Sequence, residues 1–396
     1  MKPFYFLGTI PASKSLRNRA LIAKSFFPEL QLGNSSSCDD VVYMEKAISA
    51  LAKNEAIPCG HAGTVLRFMA IRASRQPGVH RLEGSERLFS RPQQPLVSIM
   101  NQLGCEVDLQ KDHMIIKSQG WKPVVDSVHV PTGQSSQFAS ALLLSCWNLD
   151  KPFYMTLNGD FVSESYFRMT KDLLSLLGLT MEIQDGRDIY VPEGQTLLRD
   201  DYFVEMDMSS AFAVACVAAV SGSATFIQFP ENSLQPDYGF IDILKSMKID
   251  IEQTYNQLAV KQTATIHPTE ADLKQMPDLF PCLAVLCAFA EGTSRLFGAT
   301  HLKFKESDRL EKIKELLKLI GREFQEIEGG LEISGRPFDA KEVAATPKFT
   351  YDPDKDHRLA FSAGILMRLG YQIDLLTPDV VSKSFPEFWN VIGVPE

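Results

Sequence analysis

Residues 135–144 read Ser-Ser-Gln-Phe-Ala-Ser-Ala-Leu-Leu-Leu, and residues 209–218, 74 positions later, read Ser-Ser-Ala-Phe-Ala-Val-Ala-Cys-Val-Ala. Each run places two serines before a nearly unbroken apolar segment, which predicts a helix buried on every side. Looser relatives of the motif begin at Ala62-Gly63-Thr64 and at Pro277-Asp278. One type of buried helix therefore recurs about every 70 residues.

A second, amphipathic helix type alternates with the first and leads each time into a segment of alternating hydrophobicity. It is predicted over 95–104, 166–178, 240–248 and 310–321, and glycine ends three of the four. Glycine is a common helix C-cap, and alternation predicts a strand. Each unit of about 70 residues thus holds two helices and several short strands, as a repeated α/β module would. The alternative is that leucine-rich helices resemble one another by composition alone.

Composition and charge narrow the classes of protein to consider. The chain has 396 residues, 45% apolar and 22% charged, which is typical of a globular protein with two to three domains. Its 40 basic and 49 acidic residues give a net charge of −9, which disfavours nucleic acid and anionic membranes but allows a small anionic ligand. Its apolar runs are shorter than the ~18–20 residues of a membrane span. Seven cysteines without a C-x-x-C motif indicate a reduced, cytoplasmic protein.

Anion-binding positions are indicated where predicted buried helices begin. Small hydroxylic, glycine or aspartate residues stand at these starts: Ser13, Ser15, Gly63, Ser135, Ser136, Ser163, Ser209, Ser210 and Asp278. Basic residues accompany them: Lys14, Arg17, Arg19, Arg87, Arg91, Lys303, Lys305, Arg309, Arg358 and Lys383. Backbone N–H groups at a helix start and arginine side chains both bind phosphate and carboxylate. Taken singly, each serine could be an N-cap and each cation a surface charge, but together they predict a ligand with several negative groups.

Two carboxylates are candidates for proton transfer. Asp278 precedes an apolar helix, and Glu306 lies between Lys305 and Arg309, although ordinary ion pairs are the alternative. The chain lacks the nucleotide-binding glycine motifs and the G-x-S-x-G motif. Its seven histidines lack metal-ligand spacing, so no metal is predicted, and Asp356-His357 is interpreted as a structural hydrogen bond.

In their order along the chain, these motifs resemble the enolpyruvyl transferases, and within that family the branch acting on shikimate 3-phosphate. The matching segments are Pro11-Ala-Ser-Lys-Ser-Leu-Arg-Asn-Arg19, Asp39-Asp40-Val41, Gly60-His-Ala-Gly-Thr-Val-Leu-Arg67, Arg87-Leu-Phe-Ser-Arg-Pro92, Ser135-Ser-Gln-Phe138, Ser163-Glu-Ser-Tyr166, Asp207-Met-Ser-Ser210, Met276-Pro-Asp278, Lys305-Glu-Ser-Asp-Arg-Leu310, Asp356-His-Arg358 and Lys383-Ser-Phe-Pro386. The shared order from residue 11 to residue 386 makes the resemblance specific.

The resemblance implies an α/β fold, a two-domain inside-out α/β barrel in which each domain repeats a small α/β unit three times around buried helices. It implies a discontinuous domain I of residues 1–12 and 205–396, carrying phosphoenolpyruvate-binding and catalytic residues. Domain II would span residues 13–204 and carry residues that bind shikimate 3-phosphate. A hinge is expected near residues 12–13 and 203–206.

The implied reaction transfers the enolpyruvyl group of phosphoenolpyruvate to the 5-hydroxyl of shikimate 3-phosphate and releases phosphate, without metal or organic cofactor. By resemblance the catalytic residues are Lys14, Asp278 and Glu306; Asp278 takes the hydroxyl proton, while Glu306 and Lys14 remain alternatives for proton delivery. The implied shikimate 3-phosphate ligands are Lys14, Ser15, Arg19, Ser135, Ser136, Gln137, Ser163, Asp278, His301 and Lys305. The implied phosphoenolpyruvate ligands are Lys14, Gly63, Arg91, Gln137, Arg309, Arg358 and Lys383. The resemblance further implies a monomer.

Three departures from the family pattern bear on activity. His61 and His301 stand where relatives carry asparagine, which predicts an unusual pH profile. The segment between Asp40 and Gly60 is about twenty residues shorter than usual in the family, so one repeat is expected to lack a strand and a turn. Glu164-Ser165 replaces a common Lys-Pro beside Ser163.

Two other functions compete with this one. The sister transferase acting on UDP-N-acetylglucosamine carries a reactive cysteine before its catalytic arginine, whereas residues 84–91 contain none. A catalytically silent binding protein on the same scaffold would have no chemical need for all of Lys14, Asp278, Glu306, Arg358 and Lys383. RNA-processing relatives of the fold are disfavoured by the net charge.

Overall fold

A computed structural model describes residues 3–394. The chain separates into two compact units, with the divisions between Pro11 and Ala12 and between Val204 and Glu205. One unit therefore combines residues 3–11 with 205–394, and the other consists of residues 12–204. We call them the discontinuous unit and the continuous unit. In the part of the chain described, no helix has the length and apolar character needed to cross a membrane.

The helices and strands are numbered in chain order. The helices are α1 (Lys14–Phe26), α2 (Asp39–Ala52), α3 (Gly63–Ser74), α4 (Glu86–Ser90), α5 (Gln94–Gln102), α6 (Gln137–Leu144), α7 (Glu164–Leu177), α8 (Met208–Ser221), α9 (Phe240–Ser246), α10 (Phe280–Cys287), α11 (Arg309–Leu319), α12 (Ala340–Ala345), α13 (His357–Leu369) and α14 (Phe388–Ile392). The strands are β1 (Phe4–Gly8), β2 (Gln31–Gly33), β3 (Ile57–Gly60), β4 (Gly78–Gly84), β5 (Glu106–Leu109), β6 (His113–Ser118), β7 (Val128–Pro131), β8 (Phe153–Asn158), β9 (Glu182–Gln184), β10 (Asp188–Val191), β11 (Asp201–Phe203), β12 (Gly222–Ile227), β13 (Asp250–Thr254), β14 (Gln257–Lys261), β15 (Glu270–Asp272), β16 (Gly292–Phe297), β17 (Glu323–Ile327), β18 (Gly330–Gly335), β19 (Phe349–Tyr351) and β20 (Ile373–Leu375).

The sheets repeat one topology in both units. The four-stranded sheets have the orders β3-β4-β6-β5, β7-β8-β10-β9, β1-β12-β14-β13 and β15-β16-β18-β17. In each of them the first pair of strands is parallel and the next two pairs are antiparallel. The parallel pairs β2-β11 and β19-β20 supply a two-stranded sheet in each unit. Over the residues described, each unit thus holds two four-stranded sheets of identical topology and one two-stranded parallel sheet, which agrees with the predicted threefold repeat. The shared topology excludes a likeness of composition alone.

The repeated helices lie inside the units because their apolar surface faces every direction. All residues of α10, and all residues of α8 from Met208 to Val220, are buried. The amphipathic α7, by contrast, buries one face that includes Phe167, Leu173 and Leu177. The strands alternate buried and exposed residues, as β8 does, so each sheet covers the helices on one face and meets solvent on the other. The prediction of buried helices is confirmed.

The short segment between Asp40 and Gly60 consists of α2 and β3, which are joined by residues 53–56. The two-stranded parallel sheet β2-β11 lies in the continuous unit, and β19-β20 is the two-stranded parallel sheet of the discontinuous unit. The absence of a strand and a turn relative to the family stays a prediction. All seven cysteines are buried and free, in agreement with a chain that needs no disulfide.

Candidate active site

Lys14 is the first residue of α1 in the continuous unit. Its helix is capped by Ser13, whose hydroxyl oxygen accepts a hydrogen bond from the Leu16 amide at 3.4 Å. The Lys14 ammonium lies 3.3 Å from a carboxylate oxygen of Asp40, near the start of α2, and both side chains are buried. Burial of this pair keeps an ammonium oriented at a helix start, where the helix dipole also favours anions.

Arg19 lies one turn further along α1. Its Nε donates to the Thr170 hydroxyl at 2.6 Å, Nη1 donates to the Ser15 carbonyl at 2.8 Å, and Nη2 donates to the Tyr166 carbonyl at 3.2 Å. Burial lowers the pKa of Arg19 to about 9, so the guanidinium remains charged at neutral pH. Arg19 therefore ties α1 to α7 and keeps a positive charge beside Ser15.

Gly63 and Arg91 are in close contact. A Cβ atom added at Gly63 would lie 2.7 Å from Arg91 Nη1, so only glycine lets the guanidinium approach the first turn of α3 this closely. Within residues 3–394, the buried Nε of Arg91 has no hydrogen-bond partner. A buried donor without a partner costs free energy unless a ligand binds to it. This pair thus has the properties of an anion site.

The serines predicted at helix starts differ in what they do. Ser136 and Ser163 stand at the N-cap positions of α6 and α7, but neither side chain caps its helix. Ser163 has a left-handed backbone with φ of 53°, a conformation that costs free energy in a residue other than glycine and that clusters at functional sites. The Ser135 hydroxyl oxygen accepts a hydrogen bond from the Gln137 amide at 3.2 Å. N-capping therefore does not explain Ser136 or Ser163.

In the discontinuous unit, Asp278 is surrounded by cations. It lies in a 3-10 turn before α10, and its Oδ1 accepts from Arg309 Nη1 at 2.7 Å. Lys305 Nζ is 3.7 Å from Oδ1, and Arg358 Nη2 is 3.4 Å from Oδ2. Burial alone would raise the pKa of Asp278, but the three cations outweigh burial and hold the pKa well below its ordinary value. Asp278 is therefore a carboxylate at any physiological pH.

Arg309 joins three carboxylates. Besides Asp278, it donates to Asp356 through Nε at 2.7 Å and through Nη2 at 3.3 Å, and to Glu306 through Nη2 at 3.1 Å. The side chain is 1% exposed. Among the described residues these bonds occupy four of its five N–H groups, so Arg309 offers an incoming anion a single donor.

Arg358 has spare donors in a buried setting. It lies in the first turn of α13, where its amide donates to Asp356 at 3.0 Å. Its Nε and Nη1 are buried and have no hydrogen-bond partner in the described chain. Lys383, also buried, lies with its Nζ 3.9 Å from a Glu306 oxygen. Two buried cations, one with unused donors, give this cluster the properties of an anion site as well.

His301 lies in the 3-10 turn Thr300–Phe304 and is buried. Burial, and to a smaller extent the charge of Lys305, lowers the pKa of His301 to about 3. The imidazole is therefore neutral at neutral pH, so the predicted effect of its titration on the pH profile is not supported. His61, by contrast, is exposed, and its Nδ1 lies 2.8 Å from the Ser85 hydroxyl.

The low pKa of His301 predicts how stability changes with pH. Below about pH 6.5 the unfolded chain binds a proton at this residue, while the folded chain does not until about pH 3, so stability falls as the pH drops. When the pH is lowered from about 7.5 to about 5, the free energy of unfolding should fall in both proteins. We expect the fall to be about 2 kcal/mol smaller in His301→Asn, which lacks the imidazole, than in the wild type. Urea unfolding at both pH values measures this difference. Equal losses in the two proteins would contradict the buried, neutral imidazole.

Two residues of the site were not predicted as such. The sequence pattern indicates no role for Asp40 beyond its place in a motif, and it favours His357 as the partner of Asp356. In the structure, Asp40 forms an ion pair with Lys14, and Asp356 forms one with Arg309. His357 Nδ1 lies 3.9 Å from Asp356 Oδ1, which is beyond hydrogen-bond distance. One feature of the sequence could have indicated Asp356: it is a carboxylate directly before a helix whose first turn carries Arg358, a residue that the resemblance implies in phosphoenolpyruvate binding.

Comparison with solved structures defines the fold as that of the enolpyruvyl transferases. The EPSP synthase from Acinetobacter baumannii aligns with 99% of this chain and 96% of its own, with a TM-score of 0.75 and 21% identity. The enolpyruvyl transferase NikO from Streptomyces tendae aligns with 99% of this chain and 95% of its own, with a TM-score of 0.73 and 13% identity. The predicted fold class is confirmed.

The chain belongs to the EPSP synthase (3-phosphoshikimate 1-carboxyvinyltransferase) family, whose model matches residues 29–392. Relatives named 3-phosphoshikimate 1-carboxyvinyltransferase are 30% identical in Bacteroides fragilis, covering 96% of this chain and 93% of the relative. In Syntrophobacter fumaroxidans the identity is 29%, covering 96% of this chain and 95% of the relative. The prediction of a shikimate-pathway transferase is confirmed, and the transferase acting on UDP-N-acetylglucosamine is not favoured.

Proposed function

We propose that this chain transfers the enolpyruvyl group of phosphoenolpyruvate to the 5-hydroxyl of shikimate 3-phosphate, giving 5-enolpyruvylshikimate 3-phosphate and phosphate. The observation that carries the proposal is the presence, in a family member, of buried guanidinium nitrogens without a hydrogen-bond partner among the described residues, at Arg91 and Arg358. Both substrates are polyanions whose oxygens would accept these hydrogen bonds. The proposal includes a cytoplasmic monomer that needs neither metal nor organic cofactor.

The ligand assignments follow the chemistry of each cluster. In the continuous unit, hydroxyl, guanidinium and amide donors suit shikimate 3-phosphate: Ser15, Arg19, Ser135, Ser136, Gln137 and Ser163. For phosphoenolpyruvate the proposal uses Gly63, Arg91, Gln137, Arg309, Arg358 and Lys383, with Lys14 serving both substrates. The discontinuous unit adds Asp278, His301 and Lys305 for shikimate 3-phosphate, and a hinge near residues 12–13 and 203–206 remains part of the proposal.

The reaction forms one C–O bond and breaks another. The 5-hydroxyl oxygen bonds to C2 of phosphoenolpyruvate, its proton passes to Asp278, and C3 gains a proton to give a tetrahedral intermediate. The C2–O bond to phosphate then breaks and C3 returns its proton, which restores the double bond. The proton held by Asp278 leaves with the phosphate or to solvent, so the carboxylate is regenerated. Asp278 is ionised and therefore able to accept a hydrogen bond from the hydroxyl. Glu306 and Lys14 remain the alternatives for proton delivery.

The test is phosphate release by purified protein. We expect release with phosphoenolpyruvate plus shikimate 3-phosphate and none with phosphoenolpyruvate plus UDP-N-acetylglucosamine. Release with the second pair would overturn the substrate assignment. Binding of shikimate 3-phosphate without release would favour a silent scaffold, so titration with that ligand alone accompanies the assay.

A further inference from the structure

Arg67 on α3 is a buried cation in the motif Gly60–Arg67 to which the proposed reaction gives no role. It is 3% exposed and its guanidinium stacks 4.7 Å from the centre of the Phe138 ring. Nε donates to Gln93 Oε1 at 3.3 Å, and Nη2 donates to the Pro92 carbonyl at 3.3 Å. Two anchors and a ring therefore hold the guanidinium in one orientation.

The same guanidinium determines which way the Gln137 amide points. Arg67 Nη1 lies 2.8 Å from Gln137 Oε1, and because a guanidinium only donates, the amide atom facing it must be the oxygen. The opposite atom, Nε2, donates to the Thr64 hydroxyl at 3.2 Å. The Gln137 Nε2 carries a second N–H group. The group that this side chain can offer to a ligand is therefore an N–H donor rather than its carbonyl oxygen.

Ser135 is oriented in the same sense. Its hydroxyl oxygen accepts one hydrogen bond from Arg67 Nη1 at 3.4 Å and another from the backbone N–H of Gln137 at 3.2 Å. A hydroxyl has two acceptor positions and one donor. With both acceptor positions engaged, the O–H of Ser135 is directed to donate.

We propose that Arg67 is a positioning residue that fixes the hydrogen-bond polarity of Ser135 and Gln137, so that both present donors to an anionic substrate. The inference rests on the proposed function and adds a residue to that site. Without Arg67, the Gln137 amide could rotate by half a turn and present its oxygen to an anion. Lysine could not replace the guanidinium, because one ammonium cannot reach Gln137, Gln93 and Pro92 in a fixed plane.

The test compares Arg67→Lys with Arg72→Lys. Arg72 is a matched control because it also lies buried on α3, donates to Ser25 at 2.7 Å and stacks 4.0 Å from the Phe26 ring centre, and it has no part in the proposed site. We expect Arg67→Lys to raise the KM for phosphoenolpyruvate and the Kd for shikimate 3-phosphate about 10- to 100-fold, with a smaller fall in kcat. Arg72→Lys should leave these constants within about threefold. Unchanged constants in Arg67→Lys, or equal changes in both variants, would overturn the inference.

A second measurement does not depend on turnover. The side-chain NH2 signals of Gln137, assigned by their absence in Gln137→Leu, should be dispersed in the wild type and converge toward exposed-glutamine values in Arg67→Lys. Unaltered signals would overturn the inference even if the protein used other substrates. Failure of the wild type to release phosphate would instead overturn the proposed function while the NMR result still decides the role of Arg67. If Arg67→Lys does not fold, Gln93→Leu, which removes one anchor of Arg67, should shift the same signals, and unshifted signals would count against the inference.

Discussion

Replacing Lys14 with alanine is expected to leave the chain folded and to lower its turnover about 100- to 1,000-fold, since a preorganised charge in a water-poor site contributes on that scale. The ammonium lies at the start of α1 against Asp40, and both side chains are buried. Removing it leaves the buried Asp40 carboxylate without this cation, so some loss of stability is also expected. Turnover falls further because, in the proposed reaction, both substrates lose a shared cation. Steady-state phosphate release measures the turnover, and a thermal melt of the same sample shows whether the chain is folded.

Lys24→Ala is the matched control for this prediction. Lys24 lies in the last turn of the same helix, where its Nζ donates to the Leu30 carbonyl at 2.7 Å, and it belongs to no proposed site. We expect near-normal turnover from it. Near-normal turnover of Lys14→Ala would exclude the catalytic role, and an equal loss in both variants would indicate that damage to α1 is responsible.

The second large effect is expected on stability. Asp356→Ala should lower the free energy of unfolding by about 3–5 kcal/mol, the range measured when one partner of a buried ion pair is removed. Asp356 is fully buried and accepts hydrogen bonds from Arg309, the Ser307 hydroxyl and the Arg358 amide. Its loss leaves the Arg309 charge undercompensated and removes the cap of α13. Urea unfolding measures the change.

Asp308→Ala separates capping from charge pairing. Asp308 is also an N-cap, accepting from the Glu311 amide at 3.2 Å at the start of α11, but it is exposed. Its loss should cost about 1 kcal/mol, the usual contribution of a cap. A loss in Asp356→Ala no larger than in Asp308→Ala would show that the Arg309 pair does not stabilise the fold.

The architecture could be predicted from the sequence because a helix that is buried on all sides needs a continuous run of apolar residues, which is visible in a short stretch of sequence. The run of apolar residues in α8 continues for nearly three turns, from Ala211 to Val220, and such a helix can bury its surface only inside a unit. The amphipathic helices and the alternating strands, such as α7 and β8, carry the complementary signal for an outer layer. The spacing of these signals then indicated the repeat.

The partners of the charged residues were not accessible in this way. The sequence favours the neighbouring His357 as the partner of Asp356, but Asp356 pairs with Arg309, 47 positions away. Arg19 likewise donates a hydrogen bond to Thr170, 151 positions away. Ser13 and Ser163 both stand before a helix in the sequence. The Ser13 side chain caps its helix, whereas Ser163 has a left-handed backbone and its side chain does not cap α7. Hydrophobic burial is encoded locally, in the spacing of apolar residues along the chain and in composition. An ion pair, or a buried donor without a partner, depends instead on which distant segments the packed helices bring together. The sequence by itself therefore determined the repeated α/β fold, and only the tertiary structure decided which charges are paired and which, as in Arg358, keep buried donors without a hydrogen-bond partner among the described residues.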